Sequence, residues 1–153
     1  MKQDKLFWDE VRSEIKNELN NIDKLALELK EEKERNSSHR AQGSILHDFY
    51  NSCERIFRRI STAINGGFPV EIGWHKELLY RMTQALEDLR PAVISEELAA
   101  ELDEYLSFRH IFRNIYGFEL KSERLNRLVD RFESVSKRFK NEIIEFLQKM
   151  EQS

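Results

Sequence analysis

The chain has 153 residues, 40% hydrophobic and 35% charged, with five glycines, two prolines and a single cysteine. That length suits one domain with a real core and not comfortably two, and high charge with few breakers favours helices over sheets. The formal net charge of −3 sets up no global basic field toward nucleic acid or an anionic membrane, and a lone cysteine excludes an internal disulfide and any paired-cysteine redox or zinc motif.

Residues 4–34 are expected to form the first helix. Trp8, Val11, Ile15, Ile22, Leu25 and Leu29 follow a three-four alternation broken only at Glu18, and Leu19 and Ala26 widen the stripe. The N-terminus leads straight into this charged amphipathic run with no signal-peptide core, and no apolar stretch approaches membrane-spanning length. A soluble, cytoplasmic protein without a membrane partner is expected. The tract Lys30 to Arg35 reads as a solvated helix end, and Asn36-Ser37-Ser38 as a break in which Ser37 or Ser38 caps the next helix.

The second helix spans about 41–64. Leu46, Phe49, Cys53, Ile56, Phe57, Ile60 and Ile64 form its buried stripe, so Cys53 reads as a small core residue. His47, Asp48, Asn51, Glu54, Arg55, Arg58 and Arg59 fall on its other faces. The arginines near its C-terminal end are sufficiently explained by the helix dipole. Residues 65–73 hold three of the five glycines and one of the two prolines. They lack the Gly-Lys-Ser/Thr ending of a phosphate loop and read as a connection with turns.

A third helix is expected over about 74–89, with Trp74, Leu78, Met82, Ala85 and Leu89 inward, ended by Arg90-Pro91 because the residue before proline resists the helical conformation. Ser95 then caps the fourth helix, with Glu96 and Glu97 in its first turn, and this helix should stop near Gly117. Ser122 starts the fifth, whose Leu125, Leu128, Phe132, Val135, Phe139, Ile143, Phe146 and Met150 keep a heptad-like spacing. The fold expected over residues 1–153 is therefore a single-domain, all-α antiparallel bundle of about five helices.

The fourth helix carries an anomaly. Leu98, Leu102, Tyr105, Phe112 and Tyr116 make one stripe, and Arg109 falls on it. A guanidinium does not shed its charge, and burying it alone is costly. Arg109 therefore needs an acidic partner, an exposed site, or a subunit interface that takes an anion, and Glu54 is a partner if the two helices pack together. Arg113 lies near the same face, where like charges four apart repel by roughly 0.2–0.5 kcal/mol. The pair is either neutralised by glutamates of a neighbouring helix or forms an anion site, with phosphate the natural guest of a bidentate arginine. Residues 105–131 carry six Lys or Arg against three acids, a local net of +3, which suits such a guest.

The run Phe108-Arg109-His110-Ile111-Phe112-Arg113-Asn114-Ile115-Tyr116-Gly117 resembles the motif of HEPN-domain proteins, in particular HepT-like toxins: Arg, four residues, His, one residue, Tyr, often with a polar residue directly after the Arg. Arg109 stands at the Arg, His110 at the polar follower and Tyr116 at the Tyr, while Asn114 occupies the place of the His. Phe49-Tyr50 with Glu54-Arg55-Ile56-Phe57, Trp74-His75 with Leu78-Leu79, and Arg90-Pro91 extend the resemblance over most of residues 40–130. The resemblance implies a helical bundle, a homodimer, and a bacterial toxin–antitoxin pair with a minimal nucleotidyltransferase.

It also implies a metal-independent endoribonuclease in which two subunits bring their motifs together on RNA. An imidazole can take the proton of a ribose 2′-hydroxyl or give one to the leaving oxygen, and a fixed guanidinium can stabilise charge on the phosphate. Arg109 is then catalytic and, with Arg113, binds the anion. Asn114 can orient but cannot shuttle a proton, so His110 is the substitute within reach, although it projects about 100° from Arg109 around the helix. Tyr116 corresponds to the tyrosine that the nucleotidyltransferase adenylates to silence the toxin. The alternatives are a lapsed HEPN protein serving as a binding or regulatory partner of the nucleotidyltransferase, and a purely structural helical dimer with salt-bridged arginines. No cofactor or metal is expected: the chain has no HExxH, GxSxG, Walker or paired Glu-x-x-His motif. His47, His75 and His110 fall on three different helices.

Overall fold

The computed structural model describes residues 2–67, 70–114 and 122–152, with the side chains of 2, 3, 65, 113, 114 and 122 outside that description. Among the described residues five helices follow in order: α1 (Lys2–Glu34), α2 (His39–Asn65), α3 (Trp74–Arg81), α4 (Glu96–Asn114) and α5 (Ser122–Glu151). The chain is an all-α bundle, as its composition implied. α1 and α4 sit on opposite corners, each against α2 and α5, which meet across the short diagonal, and α3 lies over α2 and α4.

Ion pairs trace the antiparallel register. Glu18 and Glu14 of α1 meet Arg55 and Arg59 of α2. Glu104 and Glu97 of α4 meet Arg131 and Arg138 of α5. The interruption of the α1 stripe at Glu18 thus has a cause, since that position faces Arg55 at 2.8 Å. The same contacts revise the account of the α2 arginines. Arg55 and Arg59 serve α1, and Arg58 lies over the Trp74 ring at 5.2 Å.

α1, α2, α4 and α5 bury most of the stripe that their sequences mark. Phe49 stands at the centre, edge-on to Tyr105 at 5.4 Å, Phe132 at 4.8 Å and Phe139 at 6.4 Å between ring centroids, the geometry that the ring quadrupoles favour. The Tyr105 hydroxyl donates to the Leu128 carbonyl at 2.7 Å and ties α4 to α5. Gly43 lets α2 come close to α4, since a Cβ there would meet Phe112 at 3.0 Å. Ser38 caps α2 through the Ala41 amide, and Gly66, in the left-handed conformation at φ 78°, closes it. Ser95 caps α4 through the Leu98 amide and is itself held by Glu142 of α5.

The expectation for α3 is corrected. The helix ends at Arg81, well short of residue 89, and Ala85 and Leu89 are exposed rather than inward. Arg90 is the reason. Its buried guanidinium donates to the carbonyls of Arg81 (3.1 Å), Gln84 (2.7 Å) and Pro91 (3.0 Å) and curls the segment back on itself. A Leu86–Arg90 bridge with Asp88 at φ 66° closes the curl, and the amides of Val93 and Ile94 return to the Met82 carbonyl. Charged donors thus take over the carbonyls that further helix would have used, against the amphipathic pattern. Arg90→Met is expected to destabilise the chain by about 2–3 kcal/mol in urea unfolding. An unchanged midpoint would show that the burial cost of the charge cancels its bonds.

Candidate functional site

Arg109 belongs to the core-facing stripe of α4 together with Leu98, Leu102 and Tyr105, and is 4% exposed. It is not left unpaired there. Nη1 donates to Asn51 Oδ1 at 2.8 Å and to Glu54 Oε1 at 3.3 Å, and Nη2 to Glu54 Oε2 at 3.2 Å. The guanidinium lies over the Tyr50 ring at 4.9 Å. α2 supplies all of these groups within a little over one turn, so the α2–α4 contact is built around this charge. Glu54 is buried, not on an outer face. It borders the Cys53–Phe57 stripe, and Arg109 compensates its charge.

α3 adds a third group. His75, at the start of α3 behind Gly73, places Nδ1 2.8 Å from Glu54 Oε2 and 3.1 Å from Arg109 Nη2. Its ring lies against Trp74, with centroids 3.8 Å apart, and its side chain is 36% exposed. A carboxylate oxygen at 2.8 Å accepts only from a protonated nitrogen, which assigns the neutral imidazole's hydrogen to Nδ1 and its lone pair to Nε2. On the other side of Arg109, the Asn51 amide donates to His47 Nδ1 at 3.3 Å. A buried carboxylate thus orients a half-exposed imidazole, and a buried guanidinium holds the carboxylate.

Beneath the cluster Tyr50 is fully buried, and its hydroxyl has no hydrogen-bond partner among the described residues. Burial first, and then the nearby Cys53 and Glu54, push that hydroxyl well above its usual range. Burial likewise raises the Cys53 thiol and the Tyr105 hydroxyl. These groups keep their protons when folded, whereas an unfolded chain releases them near 9.0 for Cys and 10.0 for Tyr. The unfolded state then binds fewer protons, so stability is full below about pH 9 and falls as pH rises above it. Urea midpoints taken between pH 8 and 11 are expected to decline with that sign.

The residues singled out in the sequence are not all gathered here. His110 is exposed on α4, about 100° around the helix from Arg109. Arg113 and Asn114 end α4, with their side chains outside the described residues, as is the whole of Tyr116. The sequence did name Glu54 as the partner of Arg109. It did not single out Asn51, Tyr50 or His75 for the site, because nothing local marks a histidine at a helix start as facing a glutamate 21 positions earlier. Among the described residues no group of three or more His, Cys, Asp or Glu is placed to hold a metal ion, and no helix is long and apolar enough to cross a membrane. A groove of about 520 Å³ between α1 and α5, bordered by Lys30, Lys33, Lys137 and Lys140, lies away from this cluster.

The family of HepT-like proteins matches residues 41–150, from the start of α2 almost to the end of α5, and the chain belongs to that family. Its toxin-like HEPN character follows from that membership. No curated protein and no solved structure matches the chain.

Proposed function

We propose that this chain is the toxin-type member of a HepT-like pair, a metal-independent endoribonuclease acting on RNA as a homodimer. In this reading a minimal nucleotidyltransferase partner silences it by adenylating Tyr116. Arg109 is the motif arginine, His110 and Asn114 assist it, and Arg113 contributes to phosphate binding. An adenylate added at Tyr116, three positions after Arg113 in the sequence, would block the anion site by its own negative charge. One observation carries the reading: the motif arginine sits in a cluster with a carboxylate and a half-exposed imidazole. A bridge serving packing alone needs no titratable group at the surface.

A second reading has its own support. Arg109 is neutralised by Glu54 within one subunit, and Asn114 cannot carry a proton. Both favour a lapsed HEPN protein that binds or regulates the nucleotidyltransferase.

Incubating labelled RNA with the purified protein in EDTA separates the two. Under the first reading the parent cleaves, and Arg109→Lys, which keeps the charge but loses the fork to Glu54 and Asn51, falls by about 10²-fold or more. No cleavage by the parent, together with a stable complex with the nucleotidyltransferase, would establish the second.

A further inference from the structure

Resting on the ribonuclease reading, we infer that His75, outside the HEPN motif, is the proton carrier of this chain and replaces the histidine missing at position 114. The geometry meets the needs of a general base. Glu54 Oε2 holds Nδ1–H at 2.8 Å, which fixes the tautomer and turns the Nε2 lone pair to the far side of the ring. Among the described residues the hydrogen bond of the imidazole, to Glu54, falls on Nδ1, so Nε2 is the nitrogen left for a substrate. The ring is 36% exposed, while the carboxylate behind it is 10% exposed and held by Arg109. A carboxylate that orients an imidazole and stabilises its protonated form is the arrangement by which histidine bases are made effective on unrelated folds.

The remaining environment is consistent with this role. Arg109 presents its charge 3.1 Å from Nδ1 on the protein side. The Trp74 ring lies tilted against the imidazole, and Arg58 lies over Trp74 from α2, so an aromatic ring and a second cation sit beside the histidine. In the step, Nε2 takes the proton of a ribose 2′-hydroxyl and the oxygen attacks the adjacent phosphorus. The P–O5′ bond breaks, the leaving oxygen takes a proton from water, and the hydroxide so formed takes the proton back from Nε2, which restores the water and the base. The products are a 2′,3′-cyclic phosphate end and a 5′-hydroxyl end, with no oxidant, metal or co-reactant consumed. Arg109 and Glu54 act here as positioning residues.

The test compares the parent, His75→Asn, Asn114→His and the double variant on labelled RNA in EDTA, with circular dichroism to verify folding. Asparagine can place its amide nitrogen where Nδ1 stood and keep the bond to Glu54. Exposed His39 on α2 supplies the control His39→Asn. We expect the parent to yield cyclic-phosphate ends, His75→Asn to lose about 10²–10⁴-fold, the control to match the parent, and Asn114→His to restore cleavage in the His75→Asn background. Cleavage by the parent undiminished in His75→Asn overturns the inference and leaves the ribonuclease reading intact. Cleavage only by chains carrying Asn114→His overturns both, since His75 then does not suffice and the natural chain is the lapsed form. No cleavage by any of them rejects the ribonuclease altogether.

Discussion

Replacing Glu54 with leucine is expected to lower folding stability by about 3–5 kcal/mol, because it leaves Arg109 charged and unpaired in a buried setting. Arg109 is 4% exposed and, among the described residues, donates twice to that carboxylate and once to the Asn51 amide oxygen. An amide alone does not compensate a full charge. The double variant Glu54→Leu with Arg109→Met is expected to recover most of the loss, since two well-packed apolar side chains of similar volume can replace a buried ion pair at little net cost. Urea unfolding of the four chains of this cycle gives the coupling directly. A loss below about 1 kcal/mol in Glu54→Leu would mean that the guanidinium swings out to solvent, which would expose it to a phosphate. The cycle therefore reports on function too: a double variant that folds well and binds no RNA would show the pair to be kept for chemistry rather than stability.

Much of the fold was legible because helices advertise themselves through spacing. The stripes of α1, α2, α4 and α5 name their own buried residues, and Ser38, Gly66 and Ser95 mark ends through local hydrogen bonds. α3 was overextended for a reason that spacing does not contain. Its amphipathic pattern runs on to Leu89, but the side chain of Arg90 reaches back to the carbonyls of Arg81 and Gln84. A contact across nine positions is invisible to a rule that looks three and four residues ahead. The site divided in the same way. Arg109 stands out because a charge on an apolar stripe demands a partner, and Glu54 on α2 is an acid within reach once α2 and α4 pack together. His75 carried no such signal, for it sits beside Trp74 on a short helix and meets a glutamate 21 positions earlier in the chain. Asn114 was legible as a departure from the family pattern, and only the fold brings forward another histidine to answer it.

Phe49→Ala is expected to cost a similar amount, about 3–5 kcal/mol, by a different mechanism and with a different consequence. Its ring is fully buried and meets Tyr105, Phe132 and Phe139 edge-on, joining α2 to α4 and α5 in one place. Truncation removes apolar area from the centre of the bundle and leaves a cavity that four long helices cannot easily collapse around. Phe132→Ala should cost comparably, and the two together less than their sum by about 0.5–1.5 kcal/mol, since their mutual contact is lost only once. The loss in Phe49→Ala lowers the folded fraction without touching Glu54, His75 or Arg109. On the proposed ribonuclease reading, RNA cleavage per folded molecule should therefore match the parent at temperatures where both are folded, as measured by rates normalised to circular dichroism. If Phe49→Ala instead lowers cleavage while remaining folded, the aromatic centre must hold α2 at the angle that places Glu54 against His75. Core packing would then be part of the site's geometry and not merely its support.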